Sequence, residues 1–146
     1  SQYSGVITVF IDQLLRNKSP TINGDGEQTR DFVFVEDVVQ ATLLALEKTN
    51  AVGDVFNVAT GQPITINKLL ETLKETTNKP NLTVFHKQAP KGDIKHSYAS
   101  IEKARRTLGY SPKFSLQQGL KKLTEWHASK SKLKPHRNRI NRKKLS

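Results

Sequence analysis

A chain of 146 residues with 35% hydrophobic content and a formal net charge of +11 is the size of one ordinary domain and can bury roughly 70% of its unfolded surface. It has no cysteine, which excludes a disulfide framework and a thiolate zinc site, and no apolar run approaches the roughly 20 residues of a membrane helix. The charge is uneven: residues 129–146 hold eight Lys or Arg and no acidic residue, leaving 16 basic against 13 acidic residues before them. Residues 1–128 are therefore expected to be the folded portion and residues 129–146 a basic, disordered tail, in a soluble, cytoplasmic protein without a membrane partner. The chain also lacks methionine, which predicts that Ser1 is not where translation began and that the sequence is a piece of something longer.

Val6, Ile7, Phe10, Ile11, Leu14 and Leu15 recur at helical spacing, so residues 4–17 should form an amphipathic helix. Pro20 ends it, and residues 21–23 then form a short extended piece before a turn at residues 24–26. Residues 32–35 are apolar without alternation, which predicts a strand covered on both faces. A helix over residues 37–48 follows, with apolar groups around more than one stripe, so it needs neighbours on several sides. Residues 55–59 read as a second continuous strand. Thr65 caps a helix carrying Ile66, Leu69, Leu70 and Leu73, which ends near residues 78–80. Residues 82–86 are a third strand candidate. Ser100 caps a helix over residues 101–108 with Gly109 as its stop, and Ser115 with Gln118 makes a capping box that opens a last helix with Leu116, Leu120, Leu123 and Trp126 on one side. The order is an α/β pattern of five helices and three to four short strands. A doubly covered sheet this narrow leaves an apolar edge open, so low stability or self-association is expected of the piece alone.

The densest set of special residues is GDGEQTRDFVFVED at residues 24–37. Two glycines make a tight turn, and a fixed cation, Arg30, follows just before an apolar run. That combination suggests an anion site, because a guanidinium offers several donors to phosphate oxygens without losing its charge. The competing explanation is an ion pair of Arg30 with Asp31, Glu36 or Asp37. The acidic residues here lack calcium-loop spacing, and His86, His96, His127 and His136 are scattered without ligand spacing, so no metal site is expected. Tyr98 beside Ser97 lacks an oriented base and reads as packing.

Gly24, Asp25, Gly26, Gln28, Thr29, Arg30, Asp31, Phe32, Val35, Asp37 and Ala41 match the GDGxQTRDFxxVxDxxxA signature of nucleotide-sugar epimerases and dehydratases. With Tyr3, Ser4, Gly5, Val6, Ile7 and Phe10 before it, and Phe56, Asn57, Thr60, Gly61, Gly92, Asp93, His96, Ser97 and Tyr98 after it, the chain resembles the C-terminal portion of these extended short-chain dehydrogenase/reductases, the UDP-glucose 4-epimerase branch above all. The resemblance implies the α/β substrate-binding portion of an extended Rossmann-type epimerase, whose N-terminal half binds NAD and whose C-terminal half holds a UDP-hexose. In a complete relative it implies oxidation at the sugar C4 by NAD, rotation of the keto-sugar and return of the hydride. The catalytic tyrosine four residues before a lysine is missing here, since Tyr3, Tyr98 and Tyr110 are followed at that distance by Ile7, Glu102 and Phe114. The dinucleotide fingerprint is missing too: Gly24, Gly26 and Thr29 fail its third glycine. No catalytic and no NAD-binding residue is expected in this chain.

What the resemblance leaves is substrate grip: Arg30 on the diphosphate, Asp93 near the ribose hydroxyls, and Gly5, Val6 and Phe10 near the base, with Phe10 equally suited to the core. The second phosphate arginine of the family falls on Pro90, and Lys91 one position later supplies charge without a bidentate fork. The family's usual aspartate after Tyr-Ala is Ser100. The alternative reading is a noncatalytic remnant or interaction module whose basic tail contacts nucleic acid, nonspecifically and salt-dependently, or an acidic partner. A third is that another chain supplies the missing Rossmann half.

Overall fold

The structure, a computed structural model, describes residues 5–132. Tyr3, Ser4 and the tail from residue 133 onward lie outside the described residues, and so do the expectations placed on them. Five α-helices are present: α1 (Gly5–Leu15), α2 (Val35–Glu47), α3 (Ile66–Thr76), α4 (Glu102–Leu108) and α5 (Leu116–Lys132). The strands are β1 (Thr21–Asn23), β2 (Thr29–Arg30), β3 (Ile64–Thr65), β4 (Phe85–Lys87) and β5 (His96–Ser97). The α/β class and the helices agree with the sequence, and the change of charge at Ser129 falls inside α5. No helix among the described residues is long and apolar enough to cross a membrane.

The sheets depart from expectation. β1 pairs with β4 in parallel, while β2 lies between β3, antiparallel, and β5, parallel. The strand expected at residues 32–35 is absent: α2 begins at Val35, and the Phe34 ring packs on Phe114 with 4.8 Å between centroids. Residues 55–59 are also outside any strand. Phe56 and Val58 turn inward onto the core, while Val55 is 82% exposed, and a strand needs a ladder partner that its own composition cannot supply. The candidate at residues 82–86 is shifted to Phe85–Lys87, where β1 offers the register Thr21 to Phe85.

Two cores hold these pieces. α3 presents Leu69, Leu70 and Leu73, all buried, to Phe10, Ile11 and Leu14 of α1, Ile22 of β1 and Leu120 of α5. Each such side chain stabilises by about 1.5–3 kcal/mol through the apolar surface it removes from water. The second core joins Ala41 of α2, Ile101, Ala104 and Leu108 around α4, and Tyr110. The caps form as the local sequence dictates. Thr65 Oγ1 accepts from the Lys68 amide at 3.1 Å; Ser115 and Gln118 exchange hydrogen bonds of 2.9 and 3.2 Å; and Gly109 closes α4 in the left-handed region at φ 74°. Ser100 is a weaker cap than expected, receiving the Glu102 amide at 3.4 Å.

Tyr110 is buried and donates from its hydroxyl to the Ala59 carbonyl at 2.9 Å. Burial, then the nearby Asp37 and Asp31 carboxylates, raise its pKa above the ordinary 10.0. The unfolded chain therefore loses this proton at lower pH than the folded one. The stability contributed is fully present below the unfolded pKa and lost as pH rises through the folded value. Tyr110→Phe is expected to cost about 1 kcal/mol at neutral pH for the lost hydrogen bond. Urea titrations at about pH 9 and about pH 11 should show wild type losing more stability than the phenylalanine variant; equal losses overturn the assignment.

Candidate functional site

The site is built on the turn at residues 24–26 and the short strand after it. Gly24 and Gly26 have φ of 74° and 78°, conformations glycine adopts without steric cost. The Gly24 amide donates to the Lys87 carbonyl at 2.7 Å, and Gln28 Nε2 donates to the Asn23 carbonyl at 2.8 Å, closing the loop on itself. Asp25 receives Lys95 Nζ at 2.8 Å, and hydrogen bonding to that ammonium holds its carboxyl below the usual 3.8. The ladder pairs Thr29 with His96 and Arg30 with Ser97, which brings the segment before β5 beside Arg30.

Arg30 is fastened from two sides. Nη1 donates to the Thr29 carbonyl at 2.7 Å and to the Lys95 carbonyl at 3.4 Å, while Nη2 meets Asp93 Oδ1 at 3.3 Å. The side chains are 11% and 27% exposed. The ion-pair partner of Arg30 is therefore Asp93, and the expected competitors are engaged elsewhere. Asp31 accepts from the Thr60 amide at 2.9 Å, from the Thr60 hydroxyl, and from the Gly61 amide at 2.8 Å. Glu36 takes Lys122 at 2.8 Å. Asp37 accepts from the Lys113 and Phe114 amides at 2.8 and 3.2 Å.

Asp93 ends a turn over residues 90–93, its amide donating to the Pro90 carbonyl at 3.2 Å, with Gly92 at φ 84°. Lys91 stands exposed in that turn. Arg30 and Asp93 thus meet, with the Lys95 carbonyl beside them and Lys91 two residues before Asp93 in the turn. Gly5, Val6 and Phe10 stand on α1, which packs on α3 and α5. Phe10 is 2% exposed in the first core, so its side chain serves packing and is covered from a ligand; Val6 is partly buried at the edge of the same core. None of these six residues lines the groove of about 650 Å³ between α3 and the β1–β4 pair, which is walled by Lys68, Glu71, Lys74 and His86 among others.

Sequence reasoning did not foresee Asn67. Its side chain donates to the Asp25 carbonyl at 3.0 Å and to Glu27 Oε1 at 2.6 Å, and its amide donates to the Gly26 carbonyl at 3.1 Å. It fills the space beside Gly26. A dinucleotide cradle needs a glycine turn open to a pyrophosphate and running into a helix. This turn is filled by Asn67 and runs into β2, so it does not fit the pyrophosphate of NAD.

A filled glycine turn, an anchored arginine and a facing aspartate on small mixed sheets, packed between helices, define an α/β module. Residues 1–59 match the NAD dependent epimerase/dehydratase family. The chain belongs to this family of extended short-chain dehydrogenase/reductases and corresponds to their C-terminal part. It is 35% identical to UDP-glucose 4-epimerase of Mycolicibacterium smegmatis over 88% of this chain and 40% of that protein. UDP-glucose 4-epimerase of Thermotoga maritima, solved with UDP-glucose, is 41% identical with a TM-score of 0.80 over 87% of this chain and 40% of that one. UDP-glucuronic acid 4-epimerase of Bacillus cereus, solved with UDP-glucuronic acid and NAD, is 33% identical with a TM-score of 0.78 over 85% and 40%. The chain spans about 40% of the length of these relatives.

Proposed function

We propose that this chain binds a nucleotide sugar, a UDP-hexose, as the C-terminal portion of an NAD-dependent sugar 4-epimerase, with the hydride chemistry lying outside it. The observation that carries the reading is the Arg30 guanidinium, pinned by the Thr29 and Lys95 carbonyls and facing Asp93 Oδ1 at 3.3 Å. A carboxylate contact at that distance is longer than a tight charge-assisted pair of about 2.7–2.9 Å. A diphosphate, carrying more charge and more acceptor oxygens, can displace it. Asp93, released, is then placed to accept from a ribose hydroxyl, and Lys91 adds a mobile point charge without fixing geometry.

Titration calorimetry with UDP, UMP and uridine tests this. Affinity is expected to fall in that order, because the diphosphate supplies the charge that Arg30 reads. Arg30→Ala is expected to weaken UDP binding by about 10- to 100-fold, corresponding to one charge-assisted contact of about 1.5–3 kcal/mol. Lys91→Ala should cost only a few-fold, as an exposed charge does. No binding by wild type at about millimolar UDP, or an unchanged affinity in Arg30→Ala, would overturn the proposal.

A further inference from the structure

Helix α5 carries a surface that the nucleotide-sugar reading does not use. Its periodicity grouped Trp126 with Leu116, Leu120 and Leu123, yet Leu120 is 4% exposed and Trp126 is 50% exposed. At about 100° per residue, Trp126 stands roughly 120° round the helix from Leu120. The indole therefore sits at the rim of the first core and faces water. Lys130 Nζ lies 4.2 Å over its ring, and the His127 ring meets it edge-on with 5.1 Å between centroids. Over residues 126–146 the sequence holds eight Lys or Arg and no acidic residue. An exposed aromatic ring thus stands where a long run of one charge begins.

Charge of this density and single sign attracts a polyanion, whose condensed counterions are released as its phosphates are neutralised. Composition separates nucleic acid from a lipid surface. Lying in a membrane interface takes a broad apolar helix face, and after Ala128 the large apolar residues are only Leu133, Ile140 and Leu145, which leave no stripe at three- and four-residue spacing. The same run interleaves Arg137, Arg139 and Arg142 with Asn138 and Asn141. Guanidinium forks take phosphate oxygens in pairs, and both side-chain types hydrogen-bond base edges. The indole adds a π-face on which an unpaired base stacks; a duplex, whose bases are already stacked on one another, offers it none. We propose that Trp126 and the basic run over residues 130–146 bind single-stranded nucleic acid, the indole stacking a base while the cations follow the phosphates. Lys130 moves from the ring to a phosphate, because an exposed cation–π contact is weaker than a base stack. RNA and DNA single strands share this chemistry. The inference uses none of the residues assigned to the UDP-hexose, so either stands if the other fails.

Trp126 is the sole tryptophan of the sequence, so its own fluorescence reports the contact. The full chain is titrated with RNA and DNA single strands of about 16 nucleotides, with a duplex of the same length, and with vesicles of phosphatidylserine in phosphatidylcholine. Anisotropy of the labelled strand and indole emission are followed together. Single strands are expected to bind and to quench the indole, with affinity falling about a thousandfold between about 50 and about 200 mM salt, as contacts to roughly eight phosphates require. Trp126→Leu, which keeps an apolar side chain at the rim, should weaken binding by about 5- to 100-fold, and Trp126→Phe by less. Removing residues 133–146, which carry six of the eight cations, should weaken it by more than about a hundredfold. If Trp126→Leu loses its circular dichroism, quenching of the wild-type indole and the loss on removing residues 133–146 decide together. Binding of either strand supports the inference and identifies the source. No binding, binding without quenching, affinity unchanged in a folded Trp126→Leu, a duplex that quenches as strongly, or vesicles bound more tightly than the strands would each overturn it.

Discussion

Replacing Asp37 by alanine is expected to cost roughly 2–5 kcal/mol, a large share of the stability of a domain this size. Asp37 is 1% exposed and its two carboxylate oxygens receive the Lys113 and Phe114 amides at 2.8 and 3.2 Å. Those bonds tie the first turn of α2 to the segment that leads into α5, and the carboxylate also sits at the positive end of the α2 dipole. Alanine leaves two amides without their acceptor, and each unsatisfied buried donor costs about 1–3 kcal/mol. Asp37→Asn keeps one acceptor oxygen and should lose less. Urea midpoints measured by circular dichroism check this; an alanine variant within about 0.5 kcal/mol of wild type would remove Asp37 from the structural account.

Gly26→Ala is expected to cost roughly 3–4 kcal/mol from two separable sources. The residue sits at φ 78°, and a Cβ there would lie 2.0 Å from Asn67 Oδ1 and 2.5 Å from its Cγ. The left-handed conformation alone costs about 1–2 kcal/mol for a residue with a Cβ. Expelling the Asn67 side chain adds the loss of its two hydrogen bonds, about 1 kcal/mol each. Gly53 shares the φ of 78° but has nothing within 4 Å of its would-be Cβ. Gly53→Ala therefore measures the backbone part alone. Thermal melts of both variants give the packing part by difference, and equal losses would show that Asn67 gives way freely.

In the site, Arg30 was legible from its motif, but its partner was not. Asp93 lies 63 residues away, while Asp31, Glu36 and Asp37 are close in sequence and were the obvious competitors. Each of those is committed at a distance instead: Asp31 to residues 60 and 61, Glu36 to Lys122, Asp37 to residues 113 and 114. The motif's carboxylates were thus readable as charged residues and not as loop clamps. Asn67 gave no signal at all, because an asparagine in the first turn of a helix is unremarkable until the turn at residues 24–26 folds onto it. Phe10 carried both a ligand and a core reading, and its burial among Ile11, Leu14 and Leu69 decides for the core.

The sequence by itself determined the five helices, the caps at Thr65, Gly109 and Ser115, and the family, because helical periodicity and capping are local: Thr65 reaches three residues to Lys68, and Ser115 three to Gln118. Only the tertiary structure decided which apolar runs become strands and which charges meet. A strand exists through its neighbour, so residues 32–35 and 55–59, apolar as they are, stay outside the sheets, while polar Thr29 and Arg30 are strand because β3 and β5 lie on either side. The same dependence on distant chain sets Arg30 against Asp93 at the edge where a diphosphate is proposed to bind.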